Sequence, residues 1–148
     1  MTIADLEITP LKTIADERGA VMHMLRADAP HFTQFGEIYF SMVQRGAVKG
    51  WKRHRHMTLN LAVPVGRVRL VVFDDRDGSP TRGETVDLTL GPEDYKLVTV
   101  PPGLWTAFQG LADGGSLVAN CATLPHDPNE ADTRALNDGP VDISWELP

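Results

Sequence analysis

A glycine or proline interrupts almost every apolar run of this chain before it reaches helical length, and that punctuation constrains the fold most. Thirteen glycines and eleven prolines are spread over 148 residues. No window of about ten residues carries the apolar period of an amphipathic helix. Between the breaks the chain reads as strand, over 6–11, 20–25, 34–43, 48–51, 58–65, 67–74, 84–90, 96–100, 104–109, 116–123 and 142–146. Arg67-Val68-Arg69-Leu70 alternates polar and apolar before the run turns fully apolar, as a strand entering a core does. Asp77-Gly78-Ser79-Pro80, Pro101-Pro102-Gly103 and Asp113-Gly114-Gly115 supply turns. Helix is limited to single turns at 92–95 or 128–131, where a proline suits an early helical position. About ten or eleven short strands predict an all-β domain over 1–148, a closed barrel or a double-sheet jelly roll with its strand edges hidden.

Charge narrows the function. A net charge of -6 and an isoelectric point near 5.2 argue against a general nucleic-acid binder, which needs a broad basic face. The lone Cys121 rules out an internal disulfide and sits in the apolar run Leu117-Val118-Ala119-Asn120-Cys121-Ala122, where a buried, inert thiol is expected. The first residues carry acid early and no signal-peptide core, and no segment has the apolar length of a membrane span, so a cytoplasmic protein is expected. Against this acidic background, Lys49-Gly50-Trp51-Lys52-Arg53-His54-Arg55-His56 gathers cations and imidazoles just before the apolar run at 59–65. Such a cluster at the mouth of a strand can hold an anion or move a proton.

Six pieces, in order, make the chain resemble the dTDP-4-dehydrorhamnose 3,5-epimerase family of cupin-fold sugar-nucleotide enzymes. They are Asp16-Glu17-Arg18-Gly19, Gly46-Ala47-Val48-Lys49-Gly50-Trp51, Gly66-Arg67-Val68, the string from Asp74 to Gly83, Val100 to Phe108, and His126-Asp127-Pro128-Asn129-Glu130. The resemblance implies a cupin-type jelly roll, usually a homodimer, whose N-terminal segment reaches across to the partner subunit. It also implies an epimerase that removes a proton beside the ketone of a 4-keto-6-deoxyhexose nucleotide.

At the position where the family carries its histidine base, this chain has Lys52. Lys52 or His54 is therefore the candidate base, and His126, at or beside the family's tyrosine, the candidate proton donor. A lysine acts as a base only where burial or neighbouring cations bring it towards neutrality. Arg18 and Lys49 match positions that contact the diphosphate or base of the nucleotide, Lys49 keeping the charge but not the fork of an arginine. Trp51 and Trp105 offer flat faces for a sugar or base, though each also suits a core. Thr106 stands where the family has a further histidine, and His56 and Asn120 complete the candidate binding set. The family's base-orienting carboxylate follows a Trp-Pro near the C-terminus. None follows Trp145-Glu146-Leu147-Pro148, so that partner is expected to be missing.

A metal reading starts from Gly50 and His54-Arg55-His56, since residues two apart on a strand share a face. Asn60 and Thr106 stand where a glutamate and a third histidine are wanted, and Arg53 and Arg55 repel a cation, so neither metal nor cofactor is expected. Two functions remain open: an epimerase, or a non-catalytic relative binding a nucleotide sugar or other small anion at the same barrel mouth.

Overall fold

The computed structural model describes residues 2–148, and these form twelve strands and one short 3-10 helix. One antiparallel sheet runs β1 (Glu7–Pro10), β9 (Lys96–Val100), β6 (Leu59–Val65), β11 (Ser116–Ala122), β4 (Glu37–Val43). The other runs β12 (Ala131–Thr133), β5 (Val48–His54), β10 (Leu104–Gly110), β7 (Val68–Asp74), β8 (Thr85–Leu90). A hairpin of β2 (Thr13–Asp16) and β3 (Gly19–Met22) stands as a sheet of its own. Both large sheets feed a single core: Leu61, Val98 and Val118 from one meet Leu70, Val72 and Leu104 from the other. Two antiparallel sheets closed over a common core are the jelly-roll barrel that the strand pattern predicts.

The differences from the sequence-based expectation are local. Residues 142–146 do not form a strand. Their alternating Ile143 and Trp145, with Val141, instead pack over Trp51, Val71, Trp105 and Ala107 on the outer face of the second sheet. Periodicity alone cannot tell these two ways of burying an apolar stripe apart. The helical turn expected at 128–131 is not formed; Ala131, its last residue, instead begins β12, because β5 offers an unpaired edge. The single helical turn lies further on, at Leu136–Asp138.

Three details position the cavity between the sheets. The first is an extra residue in β5. Thr106 of β10 pairs with Lys52 and Ala107 pairs with Gly50, so Trp51 is the surplus residue of a β-bulge. The bulge resets the alternation: Lys49, Lys52 and His54 all line the cavity, while Trp51 and Arg53 serve the outer face. Gly50 has φ of 151° there, and a Cβ would collide with Ala107.

The second is β4, whose polarity is inverted. Glu37, Tyr39 and Ser41 are its half-buried residues, whereas Ile38, Phe40 and Met42 are exposed at 53%, 63% and 56%.

The third is the turn after β7. Asp74, fully buried, accepts hydrogen bonds from the backbone and Nε of Arg76 (both 3.0 Å), Ser79 Oγ (2.6 Å) and Thr81 Oγ1 (2.7 Å). Arg76 and Thr81 in turn bind the backbone of Ala4. The Asp74–Thr81 string is thus a clamp that fastens the N-terminal segment to the barrel. Although burial alone raises the Asp74 carboxyl, the hydrogen bonds from Arg76, Ser79 and Thr81 outweigh it and hold the group well below the usual carboxylate range.

Candidate functional site

A cavity of about 250 Å³ opens between the sheets, bounded by β5 and β10 on one side and β4, β6 and β11 on the other. Its floor is apolar, from Leu59, Leu61, Phe108 and Val118, and its polar groups are few. Among the described residues no carboxylate lines it, whereas Lys49 and Lys52 do, so its field favours an anion.

His54 is the best-held of its titratable groups. Its Nδ1 lies 2.6 Å from Glu130 Oε1, and both side chains are nearly buried. Glu130 comes from the loop before β12, and its other oxygen accepts the backbone N–H of His56 (2.7 Å) and Met57 (2.8 Å). Burial alone would raise the Glu130 carboxyl, but the hydrogen bonds from His54, His56 and Met57 together bring it down to about 2. An ionised carboxylate on Nδ1 selects the tautomer with the proton there and leaves Nε2 as a base. Facing it from the opposite sheet, Tyr39 receives a hydrogen bond at its hydroxyl from Asn120 Nδ2 (2.9 Å). Burial raises the Tyr39 phenol above its ordinary value, so it keeps its proton at neutral pH. Asn120 Oδ1 accepts the Asn60 backbone N–H, which fixes the amide.

The Glu130 carboxyl predicts an acid-sensitive fold. Its folded value of about 2 lies below its ordinary 4.5. As pH falls the unfolded chain therefore binds the proton first. The contribution to stability is complete above pH 4.5 and is lost on the way down to about 2. Its size is about 3 kcal/mol at most. Urea midpoints of the wild type and Glu130→Gln should converge as the pH is lowered through this window. A constant gap would contradict the account.

The structure brings Lys49, Lys52, His54, Thr106 and Asn120 to one cavity with Trp51 at its border, and leaves Arg18, His56, Trp105 and His126 elsewhere. Lys52 is exposed, so the burial that a lysine base requires is not there. Lys49 Nζ donates to Ser41 Oγ at 2.9 Å. Trp51 borders the cavity, but its ring is buried in the outer cluster, 6.2 Å from the Trp145 ring. Trp105 also faces outward: its N–H donates to Asp75, and the guanidinium carbons of Arg53 and Arg134 lie 4.6 and 5.6 Å from its ring centre. His56 lies beyond the end of β5, exposed, and does not share the cavity with His54. His126 is exposed outside the cavity, its backbone N–H held by Glu37. Arg18 forks onto Asp16 at the tip of the β2–β3 hairpin, also outside the cavity. No group of three or more His, Cys, Asp or Glu is placed to hold a metal among the described residues. No helix among them is long and apolar enough to cross a membrane.

Two central residues escaped the sequence reading. Glu130, inside the His126–Glu130 string, places a carboxylate on the His54 ring, whereas the sequence reading looked for one only past Trp145; the C-terminal residues carry Trp145 to the outer face instead. Tyr39 carried a signal in the Glu37-Ile38-Tyr39-Phe40-Ser41-Met42 alternation, which is regular but was assigned no face.

Comparison with known proteins agrees with this geometry. The family model for dTDP-4-dehydrorhamnose 3,5-epimerase matches residues 1–148. A probable low-salt glycan biosynthesis epimerase, Agl13, from Haloferax volcanii is 31% identical over 136 residues, 90% of this chain and 87% of that protein. The crystal structure of a dTDP sugar isomerase from Desulfovibrio desulfuricans superposes with a TM-score of 0.91 at 44% identity, covering 97% of this chain and 92% of the other. A dTDP-6-deoxy-D-glucose-3,5-epimerase from Legionella pneumophila, solved with dTDP-4-keto-L-rhamnose, has a TM-score of 0.80 at 26% identity, covering 90% and 74%. The chain belongs to the dTDP-4-dehydrorhamnose 3,5-epimerase family of sugar-nucleotide epimerases.

Proposed function

We propose that this protein epimerises a 4-keto-6-deoxyhexose nucleotide, with His54 as the base and Tyr39 as the proton donor on the opposite face of the sugar. The observation that carries this reading is one imidazole, oriented by a buried carboxylate, across a single cavity from one half-buried phenol. A carbon beside a ketone is acidic enough for an imidazole to deprotonate when the resulting enolate is stabilised, so the step needs no cofactor. His54 Nε2 takes the proton, the C–H electrons become the enolate double bond, and the Tyr39 hydroxyl returns a proton from the other side, inverting the carbon. The cavity has room for a hexose but not for a whole nucleotide sugar, which leaves the diphosphate and base towards the mouth.

Solvent deuterium exchange with dTDP-4-keto-L-rhamnose tests the reading. Exchange beside the ketone is expected. Tight binding without exchange would favour the alternative, a binding protein. Tyr39→Phe should uncouple the halves: exchange into the starting isomer continues, while net inversion falls about 100-fold. Inversion at the wild-type rate would remove Tyr39 from the mechanism.

The chain is read as a homodimer of single-domain subunits, working in the cytoplasm. Supporting the dimer, β4 is an edge strand whose Ile38, Phe40 and Met42 form an exposed apolar row, the kind of surface a second copy covers. The β2–β3 hairpin, bearing Arg18 and the exposed Ile14 and Val21, is then the segment that reaches towards the partner. Phe40→Glu should yield a monomer by sedimentation equilibrium; an unchanged mass would place the interface elsewhere.

A further inference from the structure

Lys52 sits in a row that the base-and-donor scheme leaves unused. Its Cα partner on β10 is Thr106 and its partner on β12 is Thr133. Directly paired residues share a face of the sheet, and all three line the cavity. The row therefore presents hydroxyl, ammonium and hydroxyl across three neighbouring strands, spaced by about 4.8 Å per strand. Lys52 forms no ion pair or side-chain hydrogen bond among the described residues, whereas the cavity's other cation, Lys49, is already held by Ser41. The Thr106 hydroxyl makes only a long bond of 3.4 Å to the Lys52 carbonyl and can turn towards a ligand. The row stands two residues along β5 from His54, about 7 Å of strand.

That offset matches a need of the reaction. The oxygen of a ketone lies one carbon away from the carbon that loses its proton. A group that holds this oxygen must stand a few ångströms beside the base, on the same wall. We propose that Lys52, flanked by Thr106 and Thr133, is the oxyanion site that holds the ketone oxygen and stabilises the enolate; this rests on the epimerase reading above. When His54 takes the proton, the C–H pair forms the carbon–carbon double bond and the carbonyl π pair moves to the oxygen. The resulting negative charge lies against the Lys52 ammonium and the two hydroxyls. Reprotonation at carbon returns the pair and regenerates the ketone, so Lys52 never exchanges its own proton. A cation that already lines a small, largely apolar cavity is in place to act on such developing charge.

The other roles open to Lys52, general base and diphosphate anchor, are separated by one experiment. The variants are Lys52→Met, Lys52→Arg and Thr133→Val. For each, two quantities are measured: deuterium exchange at saturating dTDP-4-keto-L-rhamnose, and the Kd of its 4-hydroxy counterpart, dTDP-L-rhamnose, which has the diphosphate but no ketone. Lys52→Met should slow saturated exchange about 100- to 1000-fold, with Kd for the 4-hydroxy sugar changed less than about threefold. Lys52→Arg should recover most of the rate, because arginine keeps the cation yet cannot serve as a base. Thr133→Val should slow exchange about tenfold. A loss confined to Kd would make Lys52 a phosphate anchor, and a dead Lys52→Arg would make it a base; either overturns the proposal. Wild-type exchange together with normal exchange in Lys52→Met overturns it as well, while leaving the epimerase reading intact. A wild type that exchanges nothing overturns both.

Discussion

His54→Asn should slow deuterium exchange beside the ketone by about 1000-fold or more, measured by mass spectrometry of the recovered sugar nucleotide. Asparagine fills a similar volume and can keep a hydrogen bond to Glu130, so the fold should survive. Glu130→Gln should cost about 10- to 100-fold at neutral pH, because an amide holds the ring but no longer stabilises the imidazolium formed when the proton arrives. The two residues act as one unit, so the double variant should be little slower than His54→Asn alone. If His54→Asn exchanges at the wild-type rate, the base lies elsewhere and the pairing with Glu130 is only structural. This test is independent of Tyr39, whose removal is expected to spare exchange.

Asp74→Ala should be the most destabilising single change outside the cavity, costing about 3–5 kcal/mol. It strips the buried partner from Arg76, Ser79 and Thr81 at once and releases the Ala4 segment that Arg76 and Thr81 hold. For a chain of this length the melting temperature should fall by roughly 10 °C or more, while Asp77→Ala, on the exposed loop beside it, should shift it by less than about 2 °C. A similar small shift for Asp74→Ala would mean the clamp is an ornament of the turn. The carboxyl is held below its usual range in the folded chain. Its contribution is therefore present above the ordinary value of 3.8 and fades as pH drops further, in the same direction as that of Glu130.

How much of this was legible in the sequence depended on whether the deciding contact was local. Strand positions along 59–65, 96–100 and 104–110 follow from apolar runs between glycine and proline breaks, and the barrel follows from their number. The Lys49–His56 segment was identified as the chemical one, and its strand does line the cavity. Which of its residues face inward was not legible, because strict alternation puts Lys49 and Lys52 on opposite walls. Only the pairing of Ala107 with Gly50 and Thr106 with Lys52 reveals the surplus Trp51. The partner of His54 was equally hidden. Glu130 is 76 residues away, and its meeting with His54 depends on β12 adding to the edge of β5. Local propensity at Pro128-Asn129-Glu130 favours a turn and says nothing of that edge. His126 illustrates the reverse case: sequence order put it at or beside the position where the resemblance implies a tyrosine, yet the loop turns its side chain to solvent and brings Glu130 inward.

The surplus residue in β5 also bears on how such barrels diverge. Deleting a single codon at Trp51 would set Gly50 beside Lys52 and leave the present partners in place, Gly50 with Ala107 and Lys49 with Phe108, so Lys49 and Lys52 would keep their places on the cavity wall. The loss would fall on the outer face, where the Trp51 ring packs with Trp145 beneath the C-terminal residues. A one-residue insertion in a strand is therefore a short mutational route to an anchor on the outside of a barrel, with the lining of the pocket and the His54–Glu130 pair left in place.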